Sequence, residues 1–96
     1  MFTKAVQAYS DGFLTGDVDT YDMFSKRCKD RTNKNEFIGM LAAANDTYGS
    51  VLQFEAFKAK ISGDLARVTY TYAVSAINQD SEPWVRESGA WRQDDC

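Results

Sequence analysis

Glu82-Pro83-Trp84-Val85-Arg86-Glu87-Ser88-Gly89-Ala90-Trp91-Arg92-Gln93-Asp94-Asp95-Cys96 is the stretch around which the chain is organised. Two short runs, Pro83 to Arg86 and Ala90 to Gln93, flank a Glu-Ser-Gly turn and read as a hairpin. Each run carries one Trp, and the stretch closes on a Cys. Such an end frays unless it is tied down. Two indole rings and a disulfide to the one other cysteine, Cys28, are the ties that the sequence offers.

Working back from this hairpin, Asn78-Gln79-Asp80-Ser81 reads as a loop. Leu65 to about Ala76 is the clearest strand, with Val68, Tyr70, Tyr72 and Val74 on one face and Arg67, Thr69, Thr71 and Ala73 on the other. Ser62-Gly63-Asp64 is a hairpin turn. Ahead of it Leu52, Phe54 and Ala56 alternate with polar residues, and then Phe57, Ala59 and Ile61 do. The phase slips between Ala56 and Phe57, which predicts a bulge or a bend.

Before Ser50 the period is helical. Phe2, Val6, Tyr9 and Phe13 form one stripe over about Phe2 to Leu14, stopped by Gly16. Asp17 is placed to cap a second helix, about Val18 to Cys28, with Val18, Tyr21, Phe24 or Ser25, and Cys28 inward. Asn33 and Glu36 resemble a capping box for a third helix, about Lys34 to Thr47, whose stripe is Phe37, Met40, Leu41, Ala44 and Tyr48. Helices followed by strands predict an α+β fold: three N-terminal helices packed on a curved four-stranded antiparallel sheet, one domain over residues 1–96.

The composition bounds the function. Eleven basic and 14 acidic residues leave a net charge of −3, which argues against non-specific nucleic-acid binding, since that needs a basic face. Phe37 to Ala44, the longest apolar run, falls far short of the ~20 residues of a membrane span. The start reads as an amphipathic helix rather than a signal peptide, so any targeting segment is expected to be absent or removed. There is no His, which removes the Ser-His-Asp and Cys-His arrangements and the usual zinc sites. No metal and no cofactor is expected. Cys28 and Cys96 are either two reduced thiols or one disulfide. Their even number and their places at element ends favour the disulfide, which would close a loop of about 69 residues and contribute roughly 4 kcal/mol. A disulfide points to an oxidising, extracytoplasmic compartment.

Tyr9, Phe13, Gly16 and Asp17 on the first helix, with Trp84, Gly89 and Trp91 on the closing hairpin, resemble the nuclear transport factor 2-like superfamily. That group includes ketosteroid isomerases, SnoaL-type cyclases and many binding domains. Arg27-Cys28 and the run from Pro83 to Cys96 are similar to small actinobacterial exported lipoproteins and envelope proteins of unknown function. The resemblance covers nearly the whole chain, although no hairpin separates the second and third helices. It implies a cystatin-like roll with a cone-shaped cavity, a homodimer through the open face of the sheet, and a membrane association only through a removed lipid anchor.

The same resemblance places Tyr9 where ketosteroid isomerases carry an oxyanion donor. That chemistry also needs a carboxylate base. Asp30 lies in a polar stretch with no strand to aim it, and no acidic residue shares the face of Val68 to Val74. The expected ligand-binding residues are Tyr9, Phe13, Tyr70, Tyr72, Trp84 and Trp91, with no catalytic residue among them. Asp17-Val18-Asp19 with Asp22 lacks the Gly and distal Glu of a calcium loop and reads as capping. The expectation is a non-catalytic exported or cell-envelope domain that binds a small apolar ligand or a protein partner. The rivals are an isomerase, dehydratase or cyclase using the cone, and a structural dimerisation module.

Overall fold

A computed structural model describes residues 2–96. Helix α1 (Phe2–Thr15) buries Phe2, Val6, Tyr9 and Leu14, while Phe13 is half-buried. Gly16 follows at φ +74°, the left-handed conformation that ends helices without a Cβ penalty.

The second helix expected over Val18 to Cys28 is instead broken in two. A 3₁₀ turn covers Val18–Met23, and a short helix α2 covers Lys26–Arg31. Between them Phe24 bridges Gln93 in parallel, and the Ser25 N–H donates to the Gln93 carbonyl at 2.9 Å. A continuous helix would have used these backbone groups internally; the sheet edge competes for them and wins. Asp17 therefore accepts from the Asp19 N–H at 3.0 Å within a turn, and Val18 is exposed. Ser25 restarts the helix. Its hydroxyl accepts from the Cys28 N–H and donates to Asp94 Oδ1 at 2.6 Å.

Helix α3 (Lys34–Thr47) follows its predicted bounds, with Asn33 Oδ1 accepting from the Glu36 N–H at 3.0 Å. Phe37, Leu41 and Ala44 are buried, whereas Met40 points outward.

Four strands form one antiparallel sheet in sequence order: β1 (Ala56–Ser62), β2 (Leu65–Thr71), β3 (Gln79–Glu87) and β4 (Ala90–Gln93). The phase slip is where β1 starts. Leu52 and Phe54 lie in irregular chain before it and pack on the core. β2 ends earlier than its alternation suggests, so Val74 is exposed. β3 begins earlier, at Gln79, through residues that read as a loop. Val68 pairs with Glu82, but Tyr70 pairs with Gln79, so β3 holds one extra residue there. Ser81 absorbs it at φ +53°, and its N–H is satisfied by Thr69 Oγ1 at 3.0 Å. This bulge leaves Asp80 exposed and brings Gln79 opposite Tyr70. The closing hairpin turns on Ser88 and Gly89, both at positive φ, the signature of a two-residue type I′ loop.

The core lies between the helices and the inner face of the sheet. Trp84 is 1% exposed and meets Phe2 and Tyr9 edge-on, at 5.7 and 5.9 Å. The Cys28–Cys96 disulfide is formed, with Cα atoms 5.6 Å apart and 68 positions between the partners in sequence. Asp94 sits beside it, held by Ser25 and by Arg27, whose guanidinium donates to Asp94 Oδ1 at 3.2 Å and to its carbonyl at 2.6 Å.

Replacing both cysteines with Ser should remove roughly 4 kcal/mol of stability, measured by urea unfolding; a loss under about 1 kcal/mol would show that packing alone holds the closing segment. Gly12 offers a second test. A Cβ there would overlap the Thr20 hydroxyl, and Thr20 is buried. Gly12→Ala should therefore destabilise by about 1–3 kcal/mol, although helix propensity alone favours Ala by about 1 kcal/mol. Adding Thr20→Ala should recover most of the loss.

Candidate functional site

A cavity of about 140 Å³ lies between α1 and the inner face of β2 and β3. Tyr9, Ser10, Phe13 and Leu14 enter from α1, and Tyr70 and Tyr72 from β2 and the residue just beyond it. Ile77 and Gln79 close one side, the latter placed by the bulge. Glu82, Gln93 and Asp95 complete the wall. No lysine or arginine lines it.

Of the six residues expected to bind a ligand, the structure brings four to this cavity: Tyr9, Phe13, Tyr70 and Tyr72. Trp84 lies beneath the wall rather than in it, and its indole N–H donates to Glu82 Oε1 at 2.8 Å. Trp91 packs on Phe2 at 5.0 Å, with the Arg86 guanidinium 5.2 Å over its ring, and borders a separate surface groove with Lys4. Asp30, the acidic residue considered as a base, is exposed and paired with Lys26.

Glu82 is the residue that the sequence reading passed over. It is 3% exposed. Its Oε1 accepts from the Tyr70 hydroxyl and from the Trp84 indole, each at 2.8 Å. Burial raises the pKa of the carboxyl; the Trp84 and Tyr70 donors oppose that rise, and Asp95 adds to it. A signal for this placement was present. Glu82 stands two residues before Trp84, and side chains two apart on a strand share a face. Reading Pro83 as the strand's first residue hid it.

The tyrosines are locked in their neutral forms. Burial pushes Tyr9, Tyr70 and Tyr72 up, with the charge of Glu82 contributing to each. Tyr70 donates to Glu82, and Tyr72 bonds to Ser10. Tyr9 is different. It is 9% exposed, yet its hydroxyl has no hydrogen-bonding partner among the described residues. No described side-chain polar atom is sealed away without a partner, so this hydroxyl opens onto the cavity that Tyr9 lines. The site thus presents one unoccupied hydroxyl, one buried carboxyl and several aromatic faces in a small space.

Compared with protein-family models, curated proteins and solved structures, the chain finds no match in any of the three. Among the described residues, no group of acidic residues, Cys or His is arranged to hold a metal ion, and no helix is long and apolar enough to cross a membrane.

The raised pKa of Glu82 fixes the sign of a pH effect. The folded state holds the proton more tightly than the unfolded chain, in which a Glu titrates near about 4.3. Stability attached to this group is full below that value and falls as pH rises through the folded pKa. Glu82→Gln keeps an acceptor for Tyr70 and Trp84 but cannot ionise. The stability difference between this variant and the wild type should move in the variant's favour as pH rises from about 4 toward 7. Thermal unfolding across that range reads it out, and a pH-independent difference would contradict the assignment.

Proposed function

We propose that this chain is a non-catalytic, extracytoplasmic domain that binds a small ligand in the cavity between α1 and the sheet. The observation that carries the reading is the Tyr9 hydroxyl, which has no hydrogen-bonding partner among the described residues and opens onto a cavity lined by aromatic rings. A hydroxyl that faces such a space can donate to or accept from a ligand group. The disulfide supports export, since such bonds persist in oxidising compartments.

The size of the cavity narrows the ligand. An apolar cavity of about 150 Å³ holds a benzene ring, whereas sites for drug-sized molecules begin at about 300 Å³. A cavity of about 140 Å³ therefore matches a body of roughly six to eight non-hydrogen atoms. The polar groups in the wall call for a ligand with one polar end rather than a purely apolar one.

Glu82 also favours a second reading. An enzyme of the isomerase type lacked a carboxylate in the sequence, and the structure sets one in the same cavity as Tyr9. In that reading Glu82 moves a proton and Tyr9 donates to a developing oxyanion. Deuterium uptake from solvent into the α-position of small ketones, abolished by Glu82→Gln, would establish it; no uptake leaves the binding reading in place.

Binding is tested by a thermal-shift panel of monofunctional compounds with six to eight heavy atoms, set against long-chain lipids. Small members should raise the melting temperature, by mass action on the folded state, and Tyr9→Phe should weaken the effect. A shift with long-chain lipids alone, or with nothing, would overturn the reading. Export is tested separately: protein taken from its native cells should resist thiol labelling until it is reduced.

A further inference from the structure

We propose that the ligand taken by this cavity is a small organic cation, an alkyl- or arylammonium, bound with its nitrogen toward Glu82 and Asp95 and its apolar body against the tyrosine rings. This rests on the binding reading above and names the class of ligand.

Three observations converge on a cation. The charge lining the cavity has one sign. Glu82 and Asp95 border it, and no lysine or arginine does. A carboxylate or phosphate ligand would enter with two acidic groups facing it and no countercharge, whereas an ammonium meets them as partners. The second observation is aromatic. Tyr9, Phe13, Tyr70 and Tyr72 surround the space, and ring faces attract a desolvated cation within about 6 Å of the centroid. The third is the acceptor supply. The Tyr9 hydroxyl has no hydrogen-bonding partner among the described residues, and an oxygen of that kind accepts readily from an N–H. The carboxyl of Glu82 is already oriented by Tyr70 and Trp84, so it needs no rearrangement to receive a donor.

The two carboxyls have different parts. Asp95 is exposed and stands at the mouth, where it draws a cation in. Glu82 is at the buried end. The groups around Glu82 are Tyr9 from α1, Tyr70 and Tyr72 from the β2 side, Trp84 from β3, and Gln93 and Asp95 from the closing segment. None of these groups carries a positive charge, and burial holds the proton of the carboxyl more tightly. The ammonium supplies the missing cation. Where Glu82 holds its proton, binding exchanges that proton for the ligand's charge: the carboxylic acid and the ammonium become a carboxylate–ammonium pair, and one proton leaves to solvent.

The experiment is titration calorimetry with benzylammonium, isobutylammonium and their same-shape counterparts: benzyl alcohol and isobutanol as neutral probes, benzoate and isobutyrate as anions. The ammonium members should bind at least tenfold more tightly than the alcohols, and the anions should give no heat. Repeating the benzylammonium titration in buffers of different ionisation enthalpy should show proton release. Glu82→Gln should lose at least tenfold in affinity for benzylammonium and all proton release, with circular dichroism unchanged; Asp95→Asn should weaken binding less. Alcohols binding as tightly as ammoniums, anions binding at all, or an unaltered Glu82→Gln variant would overturn the ammonium assignment and leave the binding reading standing. Silence from all six probes would remove both.

Discussion

A carboxyl group buried beneath a helix is the constraint that orders this molecule. Glu82 is 3% exposed, and an isolated charge in such a place would cost several kcal/mol. The structure meets that cost in two ways. Tyr70 and Trp84 each donate to the same oxygen at 2.8 Å, and burial raises the pKa so that the proton is held more tightly. Both donors then acquire fixed positions. Trp84 presents its ring edge to Phe2 and Tyr9, which sets how α1 lies on the sheet. Tyr70 is turned to the wall of the cavity. One polar group thus fixes two large rings directly, Tyr70 and Trp84, and through Trp84 the packing of Phe2 and Tyr9.

The segment Asp94–Cys96 is the second fixed point. Ser25 and Arg27 hold Asp94, and the disulfide holds the residue two further on. Two neighbours of Asp94, Gln93 and Asp95, form part of the cavity wall. A covalent tie that contributes mainly by limiting the unfolded chain therefore also fixes the mouth of the site.

Much of the fold was legible in the sequence because period and caps agreed with the final packing. The stripe of α1, the Asn33 cap of α3, the Gly63 turn and the Cys28–Cys96 pair all follow from local chemistry. The failures share one cause, which is competition for backbone hydrogen bonds between distant segments. Val18 to Cys28 has a helical stripe, but Phe24 and Ser25 are claimed by Gln93, and no local pattern announces a parallel bridge. Asp80 and Ser81 have loop composition, yet β2 recruits them through Thr69. Of the site, the aromatic half was readable from strand alternation. Its acidic half was harder to read: the two-residue spacing of Glu82 and Trp84 signalled a shared face, but the proline between them masked the strand, and Asp95 follows the last strand. Trp84 and Trp91 were read as wall residues because large rings near a cavity suit that role; in the structure one supports the wall and the other packs outside it.

The parallel bridge between Phe24 and Gln93 has a consequence for how the chain is made. A polypeptide emerges vectorially, and residues near position 25 wait for about 68 more before their partners exist. Helices α1 and α3 can form locally within microseconds, but the strand edge that divides Val18–Arg31 into two pieces arrives late. Until then that segment is free to adopt the continuous helix its own pattern prefers. The divided form of Val18–Arg31 therefore depends on a strand far along the chain, and any change that undocks β4 also releases this segment.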